Sequence, residues 1–356
     1  MRLLYIYPVL PNIYLIAQKA RVSPSTVSNI FHGREGKFSA ETRERVLAIA
    51  RELGYAPDAR ASALASHRSN NIGLVLYPNF SQISNLYYIK IIEGIVTELS
   101  KFNYRFIFAT IPEKGSLPSI VQSKDADGLL ICNSIPKETA LKLKQLNIPC
   151  VLIPSHYEDV EMDYVDVDNV GGVRLAVDHL LSLGHRKIGI ISVSGIFDFK
   201  KRTEVFLDSL GQAGIKPNKA WIKTDRDGRL WIANTLLNFG REMAQELYEQ
   251  KEMPTALFCA GEDIAIGVYD FFHSKGVRIP EDISVIGFDE TEASTLLSPR
   301  LTTIHTPRFE IGVNAVNLLL GRIKEPGRPT TCKTLDVNLI VRESCRRIPE
   351  SERSRK

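Results

Sequence analysis

Short apolar runs alternate with longer amphipathic stretches along most of the chain beyond residue 71. The strand-like runs share a core of aliphatic side chains, and they read IGLVLY, RFIFAT, DGLLIC, PCVLIP, KIGIIS, ALFCA and DISVIGFD. Helical patterns separate most of them, which is typical of parallel sheets covered by helices. One strand series ends near Pro154 and another begins near Lys187, so the pattern predicts two sheets. Ligands of such folds bind beyond the carboxyl ends of the strands, between two lobes.

Residues 12 to 54 have a helical pattern instead. In a first predicted helix the apolar side chains share one face, made of Ile13, Ile16, Ala17 and Ala20. That helix stops at Arg21, and Ser23 and Pro24 then supply an N-cap and a favourable first residue for a second helix. The inward face of the second helix consists of Val27, Ile30 and Phe31. Two short helices joined by a tight turn form a helix-turn-helix.

The outward face of the second helix carries small groups, namely Pro24, Ser25, Ser28 and Asn29. A helix that lies in the major groove of DNA needs such a face. Any helical hairpin gives a similar pattern, so both interpretations are open at this point. A third helix is predicted to begin at Ser39 and to end at Gly54. Its apolar stripe consists of Val46, Ile49, Ala50 and Leu53.

The segment from Tyr55 to Ala65 is rich in alanine and contains Pro57 and Asp58 near its start. Beyond the tyrosine, Leu64 is its single large apolar side chain. The segment is too short to be a stable helix alone, and we expect it to become helical on DNA. A polar stretch, residues 66–71, separates it from the strand pattern.

Positive charge is concentrated in the amino-terminal part. Residues 1–69 contain ten Lys and Arg against five Asp and Glu, a balance of +5, whereas the whole chain has a net charge of +4. The rest therefore has a balance of −1. A polyanion would meet the positive region, although a solvated basic surface of this size has the same composition. With 356 residues, 44% of them hydrophobic and 24% charged, the chain is predicted to be a soluble protein of two or three domains.

The cysteines are odd in number and lack metal-ligand spacing; they are Cys132, Cys150, Cys259, Cys332 and Cys345. We therefore expect a reduced, cytoplasmic environment. The apolar opening, residues 1–11, contains two prolines and no small-residue cleavage site. This favours a mis-assigned start codon or a disordered lead over a secretion signal. No run approaches the roughly 20 apolar residues that a membrane span requires.

Short motifs in order along the chain carry a resemblance to a known family. In the amino-terminal part they are VSPSTVS (22–28), ETRERV (41–46) and LGYAP (53–57). Beyond it they are VDN (167–169), GHRKI (184–188), PTALFCA (254–260), RIPEDISVIGFD (278–289) and SPRLTTI (298–304). With these motifs the chain resembles the lactose-repressor/galactose-repressor family of bacterial transcription regulators. The resemblance implies an all-α helix-turn-helix headpiece with a hinge helix, and an α/β two-lobed core like that of periplasmic binding proteins, with two parallel doubly wound sheets.

The resemblance also implies domain boundaries. They are a headpiece at 12–57, a hinge helix and linker at 58–71, an effector-binding and dimerisation core at 72–346, and a disordered tail at 347–356. We expect the chain to cross between the lobes near Asp168, Ile304 and Thr334. The first lobe would then contain about 72–168 and 304–330, and the second about 169–303 and 331–346.

For the headpiece the resemblance implies roles on duplex DNA. Ser23, Thr26 and Ser28 would donate to phosphates, whereas Pro24, Ser25 and Asn29 would contact base edges. Asn29 stands where arginine or histidine is common, and asparagine favours adenine. Leu64 from each of two subunits would wedge open a base step in the minor groove. The expected partner is a pseudo-palindromic operator bound by a homodimer.

For the core the resemblance implies effector contacts from Tyr87, Tyr88, Asp168, Arg202 and Asp289. The two tyrosines would stack on the effector, or they are core aromatics at a helix start. The arginine would hold the effector with two donors, or it is an ordinary surface residue. Asp289 follows a strand and can accept two hydroxyl hydrogen bonds, whereas Asp168 either binds effector or orients the crossover.

The chain departs from the family pattern at several positions. Ala260-Gly261-Glu262-Asp263 stands where Ala-Asn-Asp is usual, so an asparagine that binds hydroxyl groups is missing and a typical hexose contact is in doubt. Val205 replaces a common glycine, and Arg21 replaces a common turn glycine. The aromatic residue that closes the effector is not evident, and Trp231 is the candidate.

These observations predict a transcriptional regulator, in most such cases a repressor, that needs no cofactor and responds to a small molecule, with a carbohydrate favoured. A solute-binding protein fits the core equally well but leaves the headpiece without a purpose. An enzyme is the second alternative. However, the sequence contains no phosphate-binding glycine loop, no serine nucleophile between glycines and no paired-histidine metal motif. The polar end, residues 346–356, has no apolar heptad that would predict a tetramer.

Overall fold

The computed structural model describes residues 11–31, 37–55, 69–77, 85–102, 104–111, 116–154, 156–157, 159–225 and 235–350. The chain divides into two compact units, residues 1–70 and 71–356. The predicted hinge helix with Leu64, and the candidate closing residue Trp231, lie outside the described residues.

In its described residues the first unit contains three helices, α1 (Ile13–Ala20), α2 (Pro24–Phe31) and α3 (Ala40–Glu52). The α3 helix begins at Ser39, whose Oγ accepts a hydrogen bond from the backbone N–H of Thr42 at 3.2 Å. The core between the helices contains the predicted inward residues, with Ile16, Ala17, Ala20, Val27, Ile30, Val46 and Ala50 buried. The predicted helices and their apolar faces are therefore confirmed.

Arg21 ends α1 in the left-handed conformation, with a φ of 54°. Its backbone N–H group bonds to the carbonyl oxygens of Ala17 and Gln18. A non-glycine residue in this conformation carries backbone strain of about 1–3 kcal/mol. The substitution for glycine noted in the sequence is therefore accommodated at an energetic cost, and the tight turn into α2 is kept.

Twelve strands and eight helices of the second unit lie in the described residues. The strands are β1 (Asn71–Leu76), β2 (Arg105–Thr110), β3 (Gly128–Cys132), β4 (Cys150–Ile153), β5 (Asp163–Val167), β6 (Ile188–Ser192), β7 (Ile222–Thr224), β8 (Ala256–Cys259), β9 (Ser284–Phe288), β10 (Thr302–His305), β11 (Cys332–Leu335) and β12 (Asn338–Ile340). The helices are α4 (Leu86–Leu99), α5 (Ser119–Gln122), α6 (Lys137–Gln145), α7 (Asn169–Ser182), α8 (Phe197–Gln212), α9 (Thr235–Tyr248), α10 (Glu262–Ser274) and α11 (Arg308–Lys324).

The strands form two six-stranded sheets, as the strand series predicted. The first lobe has the order β11-β5-β4-β3-β1-β2 and the second has β12-β10-β9-β8-β6-β7. Helices cover both faces of each sheet. In β1, Ile72 and Leu74 pack beneath α4 and α11, whereas Val75 faces the opposite layer. The carboxyl ends of the parallel strands in both lobes therefore carry the loops where a ligand site is expected.

Three details of the predicted core are wrong. Cys332–Leu335 belongs to the first lobe, because β11 pairs in parallel with β5. Thr302–His305 belongs wholly to the second lobe, because β10 pairs with β9. The sheets are not entirely parallel, since β12 runs antiparallel to β10. The chain passes between the lobes after β5, between β10 and α11, and between β11 and β12.

The predicted disordered tail at 347–356 is wrong for its first part. Ile348 is buried, and its backbone N–H donates to the carbonyl oxygen of Leu183 at 2.8 Å. Just before it, Arg346 accepts a contact from His185, whose Nε2 lies 3.0 Å from the arginine carbonyl oxygen. An apolar side chain and two backbone contacts thus dock this segment on the second lobe.

In each lobe one pair of helices packs backbone against backbone. The α4–α11 pair meets at Gly94 and Gly312, and the α9–α10 pair meets at Gly240 and Gly267. A Cβ atom at any of the four positions would overlap a backbone atom of the facing helix. These glycines are therefore required by the close approach of the helices.

We expect Gly267→Ala to destabilise the second lobe. The added methyl group would overlap the carbonyl oxygen of Leu237, and overpacking of this kind costs about 1–3 kcal/mol. The matched control is Gly211→Ala in α8, where a Cβ atom meets no heavy atom within 4 Å. That substitution should raise the free energy of unfolding by up to about 1 kcal/mol. Urea unfolding measures both, and equal changes in the two variants would contradict this account of the packing.

Candidate functional site

The second helix of the first unit presents an uncharged polar surface. Ser23 Oγ accepts from the backbone N–H of Thr26 at 3.1 Å, and it lies 2.7 Å from Ser25 Oγ. The predicted N-cap is therefore confirmed. Val27 and Ile30 are buried beneath the helix, while Ser23 and Ser25 are exposed.

The remaining predicted contact residues of α2 are half-buried at its surface; they are Pro24, Thr26, Ser28 and Asn29. The helix sequence PSTVSNIF contains no charged residue. Hydroxyl and amide groups can both donate and accept, so this surface suits phosphate oxygens and base edges without charge repulsion. The packing of Val27 and Ile30 holds the helix rigidly on α1 and α3.

In the second unit, Arg202 of α8 is the centre of a buried polar cluster. Its guanidinium is 3% exposed and forms a two-pronged ion pair with Asp289, with Nη1–Oδ2 at 2.6 Å and Nη2–Oδ1 at 3.2 Å. The Nε–H group donates to Asn169 Oδ1 at 2.7 Å, and Nη1 also donates to the carbonyl oxygen of Ala260 at 2.7 Å. These four bonds leave one donor at Nη2. That two donors of Arg202 bind the effector stays a prediction, and in this arrangement four of its five donors have protein partners.

Asp289 follows β9 directly and has a left-handed backbone, with a φ of 71°. The ring of Phe288 lies under the guanidinium of Arg202, 3.7 Å from Cζ to the ring centroid. Asp289 is thus held at the carboxyl end of a strand, as predicted. Each carboxylate oxygen keeps a second lone pair, so Asp289 can still accept hydrogen bonds from a ligand.

The two predicted tyrosines begin α4 in the first lobe. Asn85 caps the helix through an Oδ1 contact to the backbone N–H of Tyr87 at 2.8 Å. Its Nδ2 donates to Asp263 Oδ2 of the second lobe at 2.9 Å, which ties the two lobes together at this point. The rings of Tyr87 and Tyr88 meet edge to face, with centroids 5.3 Å apart.

The two rings have different surroundings. Tyr88 is buried and belongs to the core of the first lobe, so the interpretation as a core aromatic fits it. The hydroxyl of Tyr87 is buried without a hydrogen-bond partner among the described residues. Burial, followed by the charge of Asp289, raises the pKa of Tyr87 well above its usual value. Tyr87 is therefore brought into the cluster of Arg202 and Asp289.

Asp168 has a local structural task. Its side chain caps α7 by accepting from the backbone N–H of Gly171 at 2.8 Å. The alternative that it orients the crossover is therefore supported by this contact. Its neighbour Asn169 reaches Arg202 instead, and the sequence interpretation missed it although it belongs to the same VDN motif.

Asp198 is a second residue that the sequence interpretation missed. It lies one turn before Arg202 on α8, so the i, i+4 spacing from the arginine was the available signal. The side chain is 6% exposed, and its Oδ1 has no hydrogen-bond partner among the described residues. Burial raises its pKa well above the usual value, and the charge of Asp166 adds to that effect.

A stacked histidine lies beside these acids. His156 Nδ1 is 2.8 Å from Asp166 Oδ2, and its ring stacks on Tyr164 with centroids 3.9 Å apart. The other neighbour of the ring is Phe197 of the second lobe, at 4.8 Å between centroids. Asp166 is 2% exposed, and its other oxygen, Oδ1, accepts from the backbone N–H of Val167 at 2.7 Å and from Asn169 Nδ2 at 3.5 Å. Aromatic rings from both lobes consequently enclose the buried acids.

The substituted Gly261-Glu262 pair changes another wall of the site. A Cβ atom at Gly261 would lie 3.0 Å from the ring of Phe199, so this ring takes the space that a side chain at 261 would need. Glu262 is 3% exposed, and burial raises its pKa to about 7. An aromatic edge and a titrating carboxyl group thus stand where the family pattern has an amide and an aspartate.

The described residues contain no cluster of His, Cys, Asp and Glu that could hold a metal ion. Among the helices of the described residues, none is long and apolar enough to cross a membrane. Cys132, Cys150 and Cys259 are buried.

Comparison with known proteins finds a matching family model for each of the two units. Residues 12–58 match the family model described as bacterial regulatory proteins, lacI family. Residues 177–345 match the model of the periplasmic binding protein-like domain. The chain is 32% identical over 340 residues to the ribose operon repressor of Haemophilus influenzae, covering 92% of this chain and 97% of the relative.

Two solved structures are similar in fold. The lac repressor dimer bound to operator and the anti-inducer ONPF has a TM-score of 0.78 at 24% identity, covering 94% of this chain and 99% of that one. A LacI family regulator from Enterococcus faecium with bound ribose has a TM-score of 0.66 at 26% identity, covering 78% and 100%. The predicted architecture, a headpiece followed by a two-lobed α/β core, is confirmed.

We expect strong energetic coupling between Arg202 and Asp289. Arg202→Met or Asp289→Leu alone leaves a buried charge unpaired and should cost about 3–5 kcal/mol of unfolding free energy. The double variant should cost less than the sum, with a coupling of up to about 3 kcal/mol. The matched control cycle uses Arg300 and Glu343, whose side chains are 60% and 47% exposed, and should give at most about 1 kcal/mol. Equal coupling in the two cycles would reject the importance of burial.

Proposed function

Because the chain belongs to the LacI family of bacterial transcription regulators, we propose that it represses from a pseudo-palindromic operator as a homodimer and responds to a carbohydrate. The chain is a DNA-binding regulator whose core takes a small-molecule effector. One observation carries the proposal: the same chain contains two features. The first is a helix with an uncharged polar surface, α2, and the second is a core in which Arg202 and Asp289 pair beside aromatic rings. A solute-binding protein would have no use for the first of these.

The headpiece residues divide by what they can contact. Ser23, Thr26 and Ser28 would donate to phosphates and set the position of α2 on the duplex. Ser25 and Asn29 would contact base edges, with the amide of Asn29 pairing to adenine. Leu64 would enter the minor groove at the centre of the site. The excess of five positive charges in residues 1–69 would supply affinity that depends on salt.

A carbohydrate suits the polar cluster of the core. Asp289 keeps free lone pairs for hydroxyl groups, and Tyr87 offers a ring face beside it. The relative named ribose operon repressor and the regulator with bound ribose support the same class of effector. Both lobes contribute residues, since Tyr87 comes from the first lobe and Asp289 from the second.

Effector control needs two states of the core that bind the effector unequally. The Asn85–Asp263 hydrogen bond and the His156–Phe197 ring contact both join the lobes. A ligand between the lobes would favour the arrangement in which these contacts and its own are made together. The resulting movement of the lobes would be transmitted to the headpiece along the chain, through β1 and the linker that precedes it.

A homodimer would cover an apolar face of α4. Leu86, Ile89 and Val96 are 42%, 43% and 46% exposed, and their spacing places them on one face of the helix. Glu93 lies on the same face and forms an ion pair with Lys90 at its edge, at 2.7 Å. An apolar centre next to charged groups is typical of an interface between subunits. A second copy of this chain is the occupant that we propose.

We expect Asn29→Ala to relax base preference at one operator position. The loss of one bidentate contact corresponds to about 1–3 kcal/mol of discrimination. Selection of duplexes from a random pool, followed by fluorescence anisotropy over a salt series, measures it. Gln145→Ala is the control, because it removes an exposed amide from the second unit and leaves the headpiece unchanged. If Asn29→Ala selects the same sequence with unchanged affinity, the residue does not contact a base; a salt-independent affinity of the unmodified protein would reject DNA binding through phosphates.

We expect Ile89→Glu and Val96→Glu to produce monomers. A buried charge at the centre of the interface would lack a partner in the second subunit. Sedimentation velocity at micromolar concentration measures the mass of each variant. Leu146→Glu is the matched control, because Leu146 is 56% exposed and lies outside α4. Dimers that persist in both α4 variants would show that another surface joins the subunits.

A further inference from the structure

Asp198 is a buried acid of the core cluster with which no basic group of the described residues forms an ion pair. Its side chain is 6% exposed, and its Oδ1 is buried without a hydrogen-bond partner among the described residues. Burial of an unpaired carboxylate is costly unless it is neutralised. Its position in the first turn of α8 offsets only part of this cost, because a helix dipole stabilises a negative charge only weakly.

The charges around Asp198 do not balance. Arg202 forms its two-pronged ion pair with Asp289, and His156 is the contact of Asp166. Among the described residues, Asp166, Asp198 and Asp289 face one guanidinium and one imidazole, and these two groups contact the other two carboxylates. The described residues therefore leave Asp198 without an ion-pair partner, which a cationic ligand would supply.

Groups from both lobes interact with Asp198. Asp166 and Tyr87 belong to the first lobe, while Arg202 and Asp289 belong to the second. Asp198 also precedes Arg202 by four residues on α8, so both side chains lie on the same face of the helix. Burial, with Asp166 and Asp289 adding to it, raises the pKa of Asp198, which is the expected response of a carboxyl group that lacks a counter-charge.

The neighbouring wall provides aromatic surface in place of a neutral amide. Phe199 fills the space in front of Gly261, 3.0 Å from the position of a Cβ atom there. A ligand on this side meets ring edges and a carboxylate, but no amide at position 261. Aromatic rings combined with a carboxylate favour cationic groups.

We propose that Asp198 determines effector specificity and that the effector presents a protonated amine to it, as an amino sugar does. This inference rests on the proposed effector site between the lobes. The ammonium group donates to the carboxylate of Asp198 and supplies the missing positive charge. The hydroxyl groups of the same sugar bond to Asp289, and its ring faces Tyr87.

The first experiment compares the ligand-free protein with Asp198→Asn and with Asp208→Asn at pH 8. Asp208 is the matched control, because it is exposed on the same helix and accepts only from Gln212. We expect Asp198→Asn to raise the unfolding temperature by about 2–4 °C, because it removes an unpaired buried charge. Asp208→Asn should leave the temperature unchanged. A lower unfolding temperature for Asp198→Asn would mean that the carboxylate stabilises the fold, and it would overturn the inference.

The second experiment measures binding of three matched pairs by calorimetry, namely D-glucosamine with D-glucose, D-galactosamine with D-galactose and D-mannosamine with D-mannose. We expect at least one amino sugar to bind about tenfold or more tightly than its neutral partner, since bonds to charged groups are the stronger ones. Asp198→Asn should abolish this difference, and Asp208→Asn should retain it.

Two results would overturn the inference and are distinguishable. If the neutral sugars bind as tightly as the amino sugars and Asp289→Asn abolishes their binding, the proposed carbohydrate site is retained and only the role of Asp198 is wrong. If none of the six sugars binds, the proposed carbohydrate response fails together with the inference. DNA binding is tested separately by the salt series and is independent of both results.

Discussion

The ion pair of Arg202 and Asp289 lies at the centre of a polar network that joins several helices and strands of the second lobe. Through it α8 is bonded to the end of β9, and the same guanidinium reaches Ala260 after β8 and Asn169 at the start of α7. A buried guanidinium is tolerated only when its donors are satisfied, so each of these positions is constrained by the arginine. The carboxyl ends of neighbouring strands are thereby held in the arrangement that an effector meets.

The same requirement bears on the proposed effector site, because it must keep its structure and still bind a ligand. The acids close to Arg202 lie in a medium of low dielectric constant. In such a medium the attraction within an ion pair is strong, and burial of an unpaired charge is costly. Asp289 is paired with Arg202 and can still accept hydrogen bonds, whereas Asp198 forms no ion pair among the described residues. In the proposed site the ion pair would maintain the structure, and the unpaired carboxylate would bind the ligand. Stability given up at Asp198 would be recovered when a ligand supplies the opposite charge.

The first unit follows a different principle. Its helices are held by a small apolar core, and the surface of α2 has no charged residue of its own. In the proposed function two tasks are separate: the basic residues of the first unit would attract the polyanion, and the neutral hydroxyl and amide groups of α2 would select the bases. The core and the headpiece thus use charge in opposite ways: one buries it, and the other keeps it away from the contact surface.

The helices of the first unit, their caps at Ser23 and Ser39, and the two sheets of the core were predictable from sequence, because local periodicity and capping chemistry determine them. The strands missed were those with polar residues, such as β5, where Asp163 is buried only because Arg322 and Arg328 reach it from distant positions. Likewise, the sequence indicated Arg202 and Asp289 as site residues but not that they pair with each other. It gave no sign that β11 returns to the first sheet, that Phe199 fills the space before Gly261, or that Asp198 stays without a partner. Those properties depend on contacts between residues that are far apart in the chain. Only the packing of the two lobes therefore decides which charged side chains form ion pairs.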